Sequence, residues 1–329
     1  MRHSTRTWRC ALSPLLPSLL LALAFVPRAQ AAPFAYLTAQ KDNTVVVVDL
    51  ANRARVAAIP VGKSPVGIAV VDATARAYVT NADDGSVSVI DTAARRVIGA
   101  LHVDGGAVGI AASADGTRIF VNDWYKNTVV VFDGATLKEN GRIAVGRVPS
   151  GIVFDNAAHR LYVANRDDNT LQVIDTRSLK TLAMLPAGRH PFGLALSPDG
   201  RRLYAVNVES NDVSVLDVTD PLQAKEIIRL PVGDTPYCIA VSPDGRKAYV
   251  TNQHADSVSV LDLIGLKVTG KVAVGGYPEG VGFAPDGRQA YVVNWMDDNV
   301  AVLDAAADKV VGYFDGGRNN RAVGQFIGK

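Results

Sequence analysis

The sequence predicts an all-β fold, a seven-bladed β-propeller built from four-stranded antiparallel blades. Three observations lead to this prediction. A four-residue motif recurs seven times, an aspartate follows each copy at a constant distance, and the last residues resemble a strand that the first blade lacks. Repeated units of about forty residues that each supply four short strands are typical of propellers, which have about 4–8 blades. We therefore expect residues 32–329 to form a single propeller domain.

The recurring motif starts with an aromatic residue and in most copies ends with asparagine. Its copies are Tyr36–Ala39, Tyr78–Asn81, Phe120–Asp123, Tyr162–Asn165, Tyr204–Asn207, Tyr249–Asn252 and Tyr291–Asn294. Their first residues are separated by 42, 42, 42, 42, 45 and 42 positions. Because the aromatic residue is present in every unit, we expect it to fill the space between neighbouring blades, where its burial contributes roughly 1.5–3 kcal/mol.

Each unit reads as four short strands. In one unit these are Gly193–Ser197, Leu203–Asn207, the alternating run Val213–Asp217 and Ile227–Val232. Pro198–Gly200 joins the first two strands, and a Pro-Asp-Gly turn of this kind favours a hairpin because Pro presets one torsion and Gly accepts a positive φ.

Two further repeat positions predict turn geometry. The aspartates thirteen residues after each aromatic residue are Asp49, Asp91, Asp133, Asp175, Asp217, Asp262 and Asp304. We interpret them as turn-capping residues and not as catalytic carboxylates. The residues seven positions after each aromatic residue are Asn43, Gly85, Asn127, Asn169, Asn211, Asp256 and Asp298. These residue types tolerate the left-handed conformation best, so we expect a tight loop between the second and third strands.

The two ends of the repeat region predict how the ring closes. The first strand-like segment, Phe34–Ala39, is of the second type, with no first strand before it. The C-terminal segment Ala322–Gly328 resembles Pro65–Val70, which is a first strand. We therefore expect the C-terminal strand to complete the blade begun at the N-terminus, which removes a free sheet edge.

Residues 1–31 have the features of a cleaved export signal. Arginines precede the apolar run Ala11–Val26, and Ala29–Ala31 supplies small residues for cleavage. The four arginines of this segment leave with it, so 34 − 4 = 30 basic residues face 32 acidic ones. We expect a periplasmic or extracellular monomer with no membrane span, and this charge gives no support for nucleic-acid binding. The one remaining cysteine, Cys238, is expected to be a buried small residue.

The motif resembles that of the YVTN family of β-propeller repeats, and Tyr78–Asn81 and Tyr249–Asn252 match the family name letter for letter. The resemblance extends over residues 32–329. It implies an exported bacterial propeller, since the family includes such proteins and surface-layer proteins and is similar to the propeller of cytochrome-d1-type domains. It implies little about activity, because one propeller scaffold carries unrelated functions.

A functional site is expected where the repeats differ. The loop leading into the first strand (the approach loop) and the loop between the second and third strands (the 2–3 loop) should open on one face, and both vary strongly. The last approach loop, which begins at Arg318, is two residues longer than the others. Exposed aromatic residues beside arginine are typical of binding sites. The candidate ligand-binding residues are Trp124, Tyr125, Arg166, Arg189, His190, Phe192, Tyr237, His254, Tyr277, Glu279, Trp295, Arg318 and Arg321, with Arg147 beside them.

No catalytic residues, metal or cofactor are predicted. The sequence has no C-x-x-C-H haem attachment, no G-x-S-x-G elbow and no H-E-x-x-H zinc helix. A weaker alternative places His190 and His254 with Glu279 or Asp234 around a metal ion.

These observations favour a non-enzymatic propeller that binds a protein, peptide or small ligand on its loop-rich face. A second hypothesis is an enzyme or accessory protein of periplasmic oxidative metabolism linked to quinone cofactors, or a lactonase-like hydrolase. A structural protein of the cell surface is less favoured, because no attachment segment is evident. Single-stranded nucleic-acid binding also stays open, since aromatic and arginine side chains can stack on bases.

Overall fold

The computed structural model describes residues 1–3 and 33–328, and within this part seven blades of four antiparallel strands form a closed ring. The innermost strands of successive blades pack against one another around the whole ring. The predicted seven-bladed propeller is therefore confirmed. The predicted signal peptide lies, apart from its first three residues, outside the described residues.

The strands are numbered in chain order and grouped by blade. Blade 1 contains β1 (Phe34–Ala39), β2 (Thr44–Asp49), β3 (Ala54–Pro60) and, from the C-terminus, β29 (Ile327–Gly328). Blade 2 contains β4 (Pro65–Val71), β5 (Arg76–Asn81), β6 (Ser86–Asp91) and β7 (Arg96–His102), with β28 (Val323–Gln325) added at its inner edge. Blade 3 contains β8 (Ala107–Ala112), β9 (Arg118–Asp123), β10 (Thr128–Asp133) and β11 (Glu139–Ala144).

The remaining blades have the same plan. Blade 4 contains β12 (Pro149–Asp155), β13 (Arg160–Asn165), β14 (Thr170–Asp175) and β15 (Lys180–Pro186). Blade 5 contains β16 (Pro191–Leu196), β17 (Arg202–Asn207), β18 (Asp212–Asp217) and β19 (Lys225–Pro231). Blade 6 contains β20 (Pro236–Val241), β21 (Lys247–Asn252), β22 (Ser257–Asp262) and β23 (Lys267–Ala273). Blade 7 contains β24 (Pro278–Phe283), β25 (Gln289–Asn294), β26 (Asn299–Asp304) and β27 (Lys309–Asp315). Single 3-10 turns occur at Gln40–Asp42, Asp72–Thr74, Arg166–Asp168, Pro221–Gln223 and Gln253–Ala255.

The core lies between the blades. All seven repeated aromatic side chains are buried, with at most 2% of their surface exposed. The Tyr249 ring stacks on Phe283 of the next blade, with ring centroids 5.1 Å apart, and Phe120 packs on Phe154 of the next blade at the same distance. This confirms that the aromatic residues fill the space between neighbouring blades.

The turn-capping role of the repeated aspartates is confirmed. Asp175, for example, accepts hydrogen bonds from the backbone N–H groups of Arg177 (2.9 Å) and Ser178 (2.7 Å). These bonds stabilise the ionised form, and the pKa of Asp175 lies below its ordinary value, chiefly because of the bond from Ser178.

The left-handed residues of the 2–3 loops are also confirmed, with φ between 46° and 63° in all seven blades. Their side chains have a second role that the sequence analysis did not predict. The Asn43 side chain accepts a hydrogen bond from the backbone N–H of Ser64 in the next blade (2.9 Å), and Asn127 accepts one from Val148 (3.0 Å). These loops therefore link neighbouring blades as well as turning the chain.

The ring closes as predicted. Strand β29 pairs antiparallel with β1, with Gly328 opposite Phe34, and the Tyr36 N–H donates to the carbonyl of Phe326 at 2.8 Å. In addition, β28 pairs in parallel with β4 of blade 2. The C-terminal segment thus joins two blades, and the Phe326 side chain between its two strands is buried.

A row of basic side chains links the blades on the face opposite the 2–3 loops. Nη1 of Arg160 donates to the carbonyls of Val218 (3.1 Å) and Thr219 (3.2 Å) in the next blade, and Lys247 Nζ donates to the Ala305 carbonyl (2.6 Å). Each basic residue precedes a repeated aromatic residue by two positions, which is a signal that the sequence analysis missed. In the part of the chain that the structure describes, no helix is long and apolar enough to cross a membrane.

Candidate ligand site at the mouth of the channel

The approach loops and the 2–3 loops lie together at one end of the central channel. The backbone N–H of Trp124 donates to the Gly106 carbonyl (2.9 Å), and the Arg147 N–H donates to Oδ2 of Asp168 (2.7 Å). Each pair joins a 2–3 loop to the approach loop of its own blade. Residues that vary among blades are therefore brought to one rim, which surrounds the channel mouth.

Three aromatic side chains from different blades meet at this rim, and we call them the mouth cluster: Trp124, Phe192 and Tyr237. The Phe192 and Tyr237 rings stack with centroids 4.1 Å apart, and the Trp124 ring lies 6.4 Å from that of Phe192. The Arg166 guanidinium lies over the Trp124 ring, 5.9 Å from its centroid, at a distance typical of a cation–π contact. Arg166 also donates to Asp167 (2.8 Å), so its position is held from two sides.

The mouth cluster lines a cavity of about 200 Å³. Gln40 and Asp83 from blades 1 and 2 contribute to its wall, and Arg321 does so from the last approach loop. Trp124 and Tyr237 are partly exposed, so their rings present accessible surface there. The cavity combines aromatic faces with a few polar groups, a composition typical of small-molecule sites.

Arg321 is held by a buried carboxylate. Its Nε and Nη2 donate to Oε2 and Oε1 of Glu279 at 2.5 and 2.7 Å, and Gln253 Nε2 donates to Oε1 at 3.1 Å. The side chain of Glu279 is only 1% exposed. A bidentate pair of this kind fixes the plane of the guanidinium.

A second aromatic group lies on the neighbouring part of the rim. The Tyr277 ring lies 5.5 Å from Trp295 and 5.6 Å from His254, measured between centroids. Trp295 Nε1 donates to Oε1 of Gln40 (3.4 Å), which lines the mouth cavity. His254 is exposed, and its Nδ1 lies 2.9 Å from the hydroxyl of Thr235.

The remaining candidate residues lie on the outer part of the rim. Arg189 donates to the Glu209 carbonyl (2.9 Å), and His190 Nδ1 lies 2.8 Å from the Glu209 carboxylate. The longer last loop carries Arg318, which pairs with Asp42 at 2.5 Å in an exposed position. Arg147 pairs with Asp168 (2.6 Å) and is also exposed. Solvent screens exposed pairs of this kind, so they shape the loops more than they stabilise them. Tyr125 is 74% exposed.

Two candidates differ from the expectation that the rim presents them to solvent. Phe192 is 4% exposed, because it is covered by Tyr237 and Trp124. Glu279 is buried because Arg321 and Gln253 surround its carboxylate. The alternative metal site is not assembled either. Glu279 is engaged by Arg321 and His190 by Glu209, and the described residues contain no group of three potential metal ligands.

Comparison of the repeats at one position accounts for part of the site. This is the fourth position after each repeated aromatic residue, which lies near the mouth in several blades. The residues at this position include Gln40, Trp124, Arg166, Gln253 and Trp295. Its aromatic and charged members are among the candidates predicted from the sequence. Gln40 and Gln253 are not, because their amide groups make contacts that only the fold brings together.

Below the mouth, the channel widens into a cavity of about 640 Å³ lined by the innermost strands. Val108 and Phe192 line both cavities, so they lie between them. Cys238 lies in the channel wall with 7% of its surface exposed, and burial raises the pKa of its thiol. The expectation of a buried, small cysteine is confirmed.

The fold and this rim define a seven-bladed propeller with an asymmetric channel mouth. A family model described as "Lactonase, 7-bladed beta-propeller" matches residues 172–273, which is less than half of the chain. No curated protein matches the chain significantly.

Solved structures with the same fold include a functionally unknown protein from Desulfotomaculum acetoxidans DSM 771, with 16% identity and a TM-score of 0.79 over 88% of this chain and 98% of that one. Hydrazine synthase from Kuenenia stuttgartiensis has 21% identity and a TM-score of 0.74 over 88% of this chain and 99% of that one. The dihydro-heme d1 dehydrogenase NirN in complex with DHE has 18% identity and a TM-score of 0.67 over 94% and 78%. At these identities the likeness shows the fold alone.

Proposed function

We propose that this protein is an exported, YVTN-type propeller that binds a small aromatic ligand at its channel mouth. The observation that carries the proposal is the mouth cluster. Trp124, Phe192 and Tyr237 come from three blades and line one cavity, whereas the same rim positions in blade 2 carry Ala82 and Val66. Aromatic side chains held by their neighbours provide a large stacking surface at low cost in conformational entropy.

The size and polarity of the cavity favour a small ligand over a protein partner. A volume of about 200 Å³ accommodates a compact molecule, and Trp124, with Arg166 over its ring, lines this volume. The export features of residues 1–31 favour action in the periplasm. NirN was solved with DHE bound, which is one precedent for a small ligand in a protein of similar fold.

The test is capture of small molecules by the immobilised residues 32–329. Wild-type protein and the variants Trp124→Ala and Tyr313→Ala are each incubated with a periplasmic extract, and released compounds are identified by mass spectrometry. Tyr313 is the matched control, since it is an exposed aromatic residue on the outermost strand β27. We expect aromatic compounds to be enriched by wild type and Tyr313→Ala and to be lost from Trp124→Ala. Equal enrichment by all three proteins would contradict the proposal.

A lactonase-like hydrolase is the second candidate, and the family-model match over residues 172–273 favours it. Within that segment, His190 and His254 are the imidazoles on the rim. A hydrolase of this kind is expected to lose turnover of simple lactones when either histidine becomes alanine. Lactone hydrolysis that is abolished by these substitutions, with an unchanged melting temperature, would favour the enzyme over the binding protein.

A further inference from the structure

The guanidinium group of Arg321 has one edge that is hydrogen-bonded within the protein and one nitrogen that is not. Glu279 engages Nε and Nη2, and Gln253 holds the carboxylate from the side. Nη1 makes no hydrogen bond to any residue that the structure describes. Arg321 lines the mouth cavity, while Glu279 does not.

Tyr237 supplies a second unpartnered donor on the same wall. Its ring is fixed by stacking on Phe192 at 4.1 Å, and its hydroxyl makes no hydrogen bond within the described part of the chain. Burial raises the pKa of Tyr237, so the phenol keeps its proton at neutral pH and remains a donor. A fixed guanidinium edge and a fixed phenol therefore border the same small space.

The charges around the cavity allow an anion at this wall. Glu279 compensates Arg321 through Nε and Nη2, but Arg321 and not Glu279 is part of the cavity wall. Arg166, which is paired with Asp167, lies over the Trp124 ring outside the cavity wall. The acidic residue of the cavity wall is Asp83, whose carboxylate accepts a hydrogen bond from the Ser64 hydroxyl at 2.5 Å. Asp83 and Arg321 come from different segments of the rim, Asp83 from blade 2 and Arg321 from the last approach loop.

We propose that the ligand of the mouth cavity is an aromatic carboxylate, with its carboxylate bound by Arg321 and Tyr237 and its ring stacked on Trp124. This inference rests on the proposed function and specifies its ligand class. Two donors match the two oxygens of one carboxylate, and hydrogen bonds between charged groups are stronger than neutral ones.

The test compares two probes that differ in charge, 2-naphthoate and its neutral amide 2-naphthamide, by titration calorimetry on residues 32–329. We expect wild type to prefer the carboxylate on the order of tenfold or more. Tyr237→Phe should weaken naphthoate binding several-fold, and Arg321→Lys should do the same, because lysine cannot reproduce the planar fork.

Removing Arg321 alone would leave Glu279 buried without a partner and could unfold the protein. The double variant Glu279→Leu, Arg321→Met removes the pair as a unit, and its melting temperature reports on folding. We expect this variant to bind both probes with similar affinity. Trp124→Ala should lose both probes.

Equal affinity of wild type for the two probes, both lost in Trp124→Ala, would overturn the carboxylate inference and leave the proposed aromatic site intact. An unchanged preference for naphthoate in the folded double variant would also overturn it. Binding of neither probe to wild type would contradict the proposed function itself.

Discussion

Asn169 Oδ1 accepts a hydrogen bond of 2.8 Å from the backbone N–H of His190 and thereby joins blade 4 to blade 5. Both residues have a left-handed backbone, with φ of 56° and 53°. The same bond recurs between Asp256 and Tyr277 (3.0 Å) and, with other residue types, at most blade junctions. A turn residue of one blade thus positions the approach loop of the next, and these loops carry the candidate site.

Two substitutions separate the roles of Asn169. Asn169→Gly keeps the left-handed turn and removes the hydrogen bond, so we expect a loss of about 1 kcal/mol in the free energy of unfolding. Asn169→Ala also removes the bond but retains a β-carbon in the left-handed region, so we expect it to be less stable than the glycine variant by about 1–2 kcal/mol. Urea denaturation of residues 32–329 measures both. An alanine variant as stable as the glycine variant would show that the conformation carries no strain.

The C-terminal strands are expected to hold the ring closed. Deletion of Val323–Lys329 exposes the edges of β1 and β4, so we expect a lower melting temperature and aggregation. Phe326→Ala tests the same closure with one side chain, and removal of a buried phenyl ring typically costs about 3–5 kcal/mol. Gln325→Ala is the matched control because its side chain is exposed. An unchanged melting temperature of the deletion variant would contradict this role.

The basic row on the opposite face is expected to stabilise the contacts between blades. Arg160→Met removes the bonds to the Val218 and Thr219 carbonyls while retaining most of the apolar stem, so we expect a loss of about 1.5–3 kcal/mol. Arg288→Met is the control, since the Arg288 side chain is 86% exposed and pairs with Asp286 only at 3.9 Å. Equal stabilities of the two variants in urea would argue against a linking role for Arg160.

Cys238 is expected to be unreactive in the native protein. It is 7% exposed, and burial raises the pKa of its thiol, so little thiolate is present at pH 8. Labelling with 5,5′-dithiobis(2-nitrobenzoate) should be slow in buffer and fast in denaturant. Native labelling as fast as that of the unfolded chain would show that the channel wall opens readily.

Acid is expected to destabilise the propeller through its turn aspartates. Hydrogen bonds from backbone N–H groups lower the pKa of Asp175 and Asp217 in the folded state. A carboxyl group whose pKa is lower in the folded than in the unfolded state stabilises the fold at pH values above its unfolded pKa, about 3.8. This stabilisation is lost as the pH falls through the pKa of the folded state. We therefore expect the melting temperature to be steady from about pH 7 to 5 and to fall below about pH 4. Asp175→Asn, which keeps an acceptor that does not titrate, should reduce that fall, and a melting temperature independent of pH down to about pH 3 would contradict the account.

The blades could be predicted from the sequence because their determinants are local. Pro198–Gly200 specifies a hairpin, Asn169 a left-handed turn and Asp175 a cap, each through neighbours a few residues away. Repetition of such signals indicates the number of blades. The aromatic packing between blades could be predicted because it recurs in every repeat, whereas polar contacts between blades, such as that of Arg160 with Val218, 58 positions away, could not.

The candidate site could be predicted only as a set of varied loop residues. Trp124, Phe192 and Tyr237 were selected because they differ from the other repeats, and the fold brings them to one cavity. Their degree of exposure was not predictable, since burial depends on which side chains the neighbouring blades supply. Gln253 was overlooked because an amide gives no signal until its partner, Glu279, is known.

The sequence by itself determined seven blades, their turns and the closure of the ring, because short-range turn chemistry and the alternation of apolar residues act within each repeat. Only the tertiary structure decided that the buried Glu279 binds Nε and Nη2 of Arg321 and leaves Nη1 without a partner among the described residues, because this pair joins residues 42 positions apart in neighbouring blades. The chemistry of the mouth therefore depends on how the ring sets one blade against the next.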